Sequence, residues 1–248
     1  MGFEHATRAA KGARSYQEDA AEAREDAGGL TAVLADGMGG HAGGALASGL
    51  ACQFFLRTFA ASSAPDARAR LAEGLEMANG AIAHQAAKDP SLTGMGCTLI
   101  GAAFGPDGLE WVSVGDSPLF LVRKGEIVLL NEDHSLAPEI DKLAAMGRIS
   151  WDAARADPRR HVLRSALTGT EIDMVDRSQR PLALQAGDVV ILASDGIHSI
   201  SRADIARVVA AAKTPDGAAE ALLAAVEAAG DAYQDNTTVV VVTVPEAP

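Results

Sequence analysis

Uninterrupted apolar β-runs that end on, or open from, an aspartate constrain this chain more than any other feature. Thr31–Asp36 (TAVLAD) and Val189–Asp195 (VVILASD) each close on an Asp-Gly pair, and Asp235 opens the run into Thr237–Val244 (TTVVVVTV). Runs without polar alternation mark strands covered on both faces, which requires stacked layers. If the third strand lies antiparallel to the other two, all three carboxylates reach the same edge of one sheet. Anions brought that close repel, raise each other's pKa, and are tolerated mainly when a cation neutralises them. All-oxygen ligation selects a hard divalent ion, magnesium or manganese.

With 248 residues the chain suits a single core, which serves up to roughly 250–300 residues. No linker, repeat or composition break interrupts it, so residues 1–248 are read as one domain. The net charge of −12 argues against nucleic acid or an anionic membrane surface as partner. No window approaches 18 uninterrupted apolar residues, so no membrane span is expected. Cys52 and Cys97 lack metal-ligand spacing and read as small buried hydrophobes. With no signal peptide visible at the N-terminus, a cytoplasmic location is expected.

Further strand-like runs cover Cys97–Phe104, Leu109–Val114, Leu119–Arg123 and Glu126–Leu130. Pro106-Asp107-Gly108 and Lys124-Gly125 supply hairpin turns, so the middle of the chain reads as an antiparallel meander. Leu46, Leu50 and Phe54 share a face of a helix near 43–60. Leu71, Leu75, Ala78 and Ile82 do so near 66–88, with Pro65 suited to its first turn. Ser201 with Asp204 caps a helix through Val209, and Thr214-Pro215 starts one through Ala228. Hairpins with paired helices give an α+β class. Between about 133 and 169 the apolar signal weakens to short helices, the pattern of a flap beside a site or of a decorated surface connection.

Six motifs follow one another in order: Arg14-Ser-Tyr-Gln-Glu18-Asp19, Asp36-Gly-Met-Gly-Gly40, Gly96-Cys-Thr98, Gly115-Asp116-Ser117, Ala193-Ser-Asp195-Gly196 and Asp235-Asn236-Thr-Thr238. Together they resemble the metal-dependent protein phosphatase 2C family, in particular its compact bacterial serine/threonine phosphatases, over about residues 5–244. The resemblance implies a four-layer αββα sandwich, two antiparallel sheets flanked by helix pairs, with a dinuclear metal site at one end. It implies a serine/threonine protein phosphatase that hydrolyses phosphoserine and phosphothreonine by attack of a metal-bridging hydroxide, opposing a bacterial serine/threonine kinase. By position Asp36 bridges two Mn²⁺ or Mg²⁺ ions and the Gly37 carbonyl is a ligand. Asp195 and Asp235 hold one ion, and Glu18 and Asp19 match the acidic pair near the other. Asp116 matches a weaker third metal position, and Arg14 the phosphate-binding arginine. Phosphorylated proteins and a cognate kinase are the implied partners, met as a monomer.

The residue chemistry agrees with these roles. Two divalent ions about 4 Å apart ionise a bridging water near neutral pH and clamp an in-line displacement. A guanidinium fork matches phosphate oxygens in a way that a lysine does not. Asn236 reads as a backbone organiser beside Asp235, and Thr98 as a support from a strand. The chain departs from the family pattern at Gln17, where many relatives carry asparagine. It also departs at Met38, where animal and plant members carry histidine, and at Pro118, where many bacterial members carry arginine. His41 is not assigned acid catalysis, and His134 and His161 are read as structural or surface residues. A catalytically silent phosphoprotein- or kinase-binding member, marked by loss of a core carboxylate, is the alternative from another class. A phosphatase of small metabolites is a third.

Overall fold

The run Val239–Val242 lacks polar residues because both of its faces are covered. Val240 and Val242 pack with Leu34, Ile100 and Leu192, whereas Val239 and Val241 pack with Ile205, Leu222 and Val226. The computed structural model that shows this describes residues 2–26, 28–40 and 42–245. Its strands in chain order are β1 (Glu4–Ala10), β2 (Ala20–Asp26), β3 (Gly29–Ala35), β4 (Gly37–Met38), β5 (Gly96–Cys97) and β6 (Leu99–Gly105). They continue as β7 (Gly108–Val114), β8 (Leu119–Arg123), β9 (Glu126–Leu129), β10 (Asp176–Arg177), β11 (Val189–Ala193) and β12 (Thr237–Thr243). The helices are α1 (Ala42–Ala61), α2 (Ala67–Lys88), α3 (Ala137–Ala145), α4 (Trp151–Arg155), α5 (Arg202–Ala211) and α6 (Pro215–Ala229).

One sheet has the order β1-β12-β11-β8-β9 and the other β10-β7-β6-β3-β2, with antiparallel neighbours throughout. A core of alternating strand residues lies between the two sheets. A second core joins Val33 and Leu99 to Phe55, Leu71, Leu75 and Ile82 of α1 and α2, and a third lies under α5 and α6. The four-layer αββα order expected from the sequence is the order found. Ser201 and Thr214 cap α5 and α6 as read, each accepting from a backbone N–H of the first turn. Phe55 locks α1 in place: a Cβ on Gly101 of β6 would lie 2.0 Å from its Cζ, and one on Gly74 of α2 would lie 2.9 Å from its Cδ2. Only glycine lets helix, ring and sheet approach this closely.

Several expectations need correction. Asp36 follows β3 whereas Asp195 and Asp235 flank β11 and β12, so the three aspartates come from both sheets, not from one edge. The central meander is two hairpins, β6–β7 and β8–β9, in different sheets, joined by a crossover at Gly115–Pro118. The predicted strand Cys97–Phe104 breaks at Thr98, since Cys97 pairs with Gly37 while Leu99 pairs with Val114. On α1 the fully buried stripe is Ala47, Ala51, Phe55 and Phe59 with Gly44, Ser48 and Cys52, displaced from the predicted Leu46-Leu50-Phe54 face. Small residues carry little hydrophobic signal, yet they allow the closest packing. Pro65 precedes the cap Asp66 of α2 and lies outside the helix. The edge strands β1 and β2 escaped the sequence reading because charged residues interrupt their alternation.

Candidate metal centre

Each predicted site residue is held by its own local arrangement. Asp36 leaves β3, where Thr98 clamps its backbone from both sides: Asp36 N donates to Thr98 Oγ1 at 3.0 Å and Thr98 N donates to Asp36 O at 2.8 Å. Gly37 continues against Cys97, and a Cβ there would stand 2.3 Å from the carbonyls of both Glu18 and Gly44. The Glu18 carbonyl also accepts from Ser48 Oγ at 2.5 Å, which fastens the Glu18-Asp19 pair to α1. Asn236 Oδ1 accepts from Glu18 N at 2.8 Å, and its Nδ2 donates to the carbonyls of Lys11 and Tyr16 at 2.8 and 2.9 Å. Asn236 is therefore a backbone organiser, though of the 11–18 loop, and Thr98 supports Asp36 from the break between β5 and β6 and not from within a strand. Gln17 Nε2 donates to Thr238 Oγ1 at 3.0 Å, while its Oε1 is buried without a hydrogen-bond partner.

These elements meet at a cleft of about 770 Å³ lined by Arg14, Glu18, Asp36, Gly37, Asp116, Asp195 and Asp235. Asp19 lies behind them, accepting from Ser194 Oγ at 2.8 Å. Asp116 sits on the crossover between the sheets. Arg14 pairs with Asp235. His161 stands on the exposed rim, and His41 lies outside the described residues. Of the opposite wall, Arg164 and Ser165 fall in the 133–169 stretch read as a flap or a surface connection, whereas Glu171 and Asp173 were not anticipated. The wall carries no local motif; the pairings of Leu167 with Cys97, Leu163 with Ser135 and Arg164 with His134 bring it to the site.

The electrostatics are those of an acidic cluster short of cations. Asp36 is driven well above the usual carboxylate range by burial first, then by Asp19, Asp195, Asp116 and Asp235. Burial, followed by Asp195 and Asp133, lifts Asp116 to about 7. Burial, followed by Asp235 and Asp19, lifts Asp195 to about 6, against the opposing charges of His161 and Arg14. Asp19 is raised chiefly by burial despite the nearby Thr238 and the hydrogen bond that it accepts from Ser194 Oγ.

The donor set fits hard divalent ions. Glu18 Oε1, Asp19 Oδ1 and Asp195 Oδ1 are buried oxygens without a hydrogen-bond partner, an arrangement costly unless a cation satisfies them. Among the described residues no three acidic, histidine or cysteine side chains are drawn tightly enough to hold an ion as they stand. In this arrangement the Asp235 carboxylate is paired with Arg14.

Comparison with known proteins points the same way. The family described as "Protein phosphatase 2C" matches residues 8–222. The chain is 36% identical over 173 residues to the serine/threonine protein phosphatase PstP of Mycobacterium tuberculosis, covering 69% of this chain and 32% of that protein. It thus spans about a third of that relative's length. It is 30% identical to the serine/threonine phosphatase stp of Listeria innocua, covering 85% of this chain and 82% of that one. The crystal structure of the PstP catalytic domain in complex with 2 manganese ions superposes with a TM-score of 0.79 at 31% identity, covering 98% of this chain and 99% of that one.

Proposed function

We propose, since this chain belongs to the protein phosphatase 2C family, that it is a metal-dependent protein phosphatase acting on phosphoserine and phosphothreonine. One observation carries the reading: carboxylates from both sheets face a single cleft with buried oxygens left unsatisfied. In this reading Asp36 and the Gly37 carbonyl would be ligands to Mn²⁺ or Mg²⁺ ions held in the cleft. Asp195 and Asp235 hold one ion, Glu18 and Asp19 the other, and Asp116 contributes to a weaker third. When bound, such ions supply Lewis-acid activation of water and neutralise charge on the phosphoryl group. The chain's own contribution is placement. Thr98 fixes the Asp36 backbone, Asn236 fixes the Glu18 loop, and Ser194 orients the Asp19 carboxylate.

Arg14 supplies the phosphate fork. Its present partner is a half-buried carboxylate, and a phosphate dianion offers the same guanidinium more charge and a bidentate geometry. Arg14→Ala is expected to raise KM for a phosphothreonine peptide about tenfold with a smaller change in kcat, the pattern of lost ground-state binding. An unchanged KM removes Arg14 from the clamp.

The cleft opens beside the flap, roughly residues 133–169, which would contact substrate protein as part of a single 1–248 domain. A cognate serine/threonine kinase as antagonist, a monomeric state and a cytoplasmic location complete the proposal. No helix among the described residues is long and apolar enough to cross a membrane. Hydrolysis of a phosphothreonine peptide in the presence and absence of Mn²⁺ tests the whole reading; activity indifferent to chelation refutes it.

A further inference from the structure

We infer that His134 is a positioning residue that couples the two walls of the cleft, holding the Asp116 turn and the 163–167 wall as one unit; this rests on the phosphatase reading above. Its side chain is 1% exposed, although the polar stretch that carries it shows no core periodicity. Gly115 N donates to its Nδ1 at 3.3 Å, and its own N–H donates to Gly115 O at 3.1 Å. The residue before Asp116 is thus gripped from both sides. On the far side, Arg164 N donates to the His134 carbonyl at 2.8 Å, and neighbouring Ser135 bridges Leu163.

From that wall the chain of bonds closes on itself. Leu167 and Cys97 exchange backbone hydrogen bonds at 2.9 and 3.0 Å. Thr98, next in sequence, shares a 2.7 Å hydrogen bond with Ser117, the residue after Asp116. Gly115 also lies on Thr98: a Cβ at Gly115, whose φ is 103°, would approach Thr98 Cγ2 to 2.5 Å. Asp116 is therefore fixed by Gly115 on one side and Ser117 on the other, and both anchors lead round the cleft. Most links in this ring are backbone pairs that substitution cannot remove. The His134 Nδ1 acceptor is a side-chain link that it can. It also sets the tautomer, because an accepting Nδ1 leaves the proton on Nε2.

Asn and Leu form a matched pair for the test. Asn Oδ1 occupies the same place along the side chain as Nδ1 and accepts, while Leu has similar bulk and no acceptor. Amide exchange in the metal-free protein is read together with peptide kinetics in Mn²⁺. His134→Leu is expected to speed exchange about tenfold in both 115–118 and 163–167, as local opening becomes easier. It is also expected to raise KM for a phosphothreonine peptide more than it lowers kcat. His134→Asn should restore protection in both segments and most of the KM. If His134→Leu does not fold, His134→Ala, which also lacks the acceptor, takes its place in the comparison. Loosening of one segment alone, or an Asn variant no better than the variant without an acceptor, overturns the coupling. An inactive wild-type protein would refute the phosphatase reading while leaving the exchange comparison to decide this inference. Normal wild-type activity with independent segments would refute the inference alone.

Discussion

Asp36→Asn is expected to lower kcat/KM for a phosphothreonine peptide by on the order of 10³-fold or more, about 4 kcal/mol of transition-state stabilisation. The same substitution is expected to raise the melting temperature of the protein in chelator. Both effects come from the same charge. Asp36 is held in place by Thr98 on its backbone, while Asp19, Asp195, Asp116 and Asp235 push its carboxyl toward the protonated form. An amide keeps the shape and removes the repulsion, so the metal-free fold gains where the metal site loses. Assaying activity in Mn²⁺ beside thermal melts in chelator separates the outcomes. Substantial metal-dependent activity, or a lower melting temperature, would show that Asp36 does not sit at the centre of the cluster's charge.

The second large effect concerns pH. Asp195 titrates at about 6 and Asp116 at about 7 in the folded protein, against an ordinary aspartate value of 3.8. Between those limits the metal-free native state binds more protons than the unfolded chain, and stability falls as pH rises across the window. Chelated protein should therefore lose stability steadily from about pH 4 to 7, and Asp116→Asn should flatten the upper part of that slope. The general repulsion of a chain at −12 acts in the same direction, so the Asp116 comparison isolates the site's share. Adding Mn²⁺ near pH 7 should reverse the loss with release of protons, worth about 2.7 kcal/mol at a hundred times the dissociation constant. Thermal melts of chelated protein at several pH values check this. A melting temperature that climbs through the window would contradict the electrostatics described for the cleft.

The acidic centre was legible because its signals are local. An aspartate that ends an apolar run and precedes glycine marks a strand end with a carboxylate at its tip, wherever that strand later lies. Which sheet each strand joins is a long-range choice, and nothing in Thr31–Asp36 or Val189–Asp195 encodes it. The assignment of all three carboxylates to one edge failed for that reason. Helix caps at Ser201 and Thr214 were readable from adjacent residues, whereas the buried face of α1 was not. Its closest contacts use Gly44, Ala47, Ser48 and Ala51, whose value is their lack of bulk. Glu18 explains the demand: a Cβ on Gly44 would come 2.3 Å from its Oε1. The far wall of the cleft, and the role of His134 in joining it to Asp116, arise from pairings between segments about 20 to 70 residues apart. A single histidine in a polar stretch gives no sign of them.

Anomalous diffraction from crystals grown in Mn²⁺ tests the central claim most directly. Two manganese peaks flanking the Asp36 carboxylate are predicted, one against Asp195 and Asp235 and the other toward Glu18 and Asp19. A cleft without manganese, or peaks that leave Asp36 uncoordinated, would contradict it.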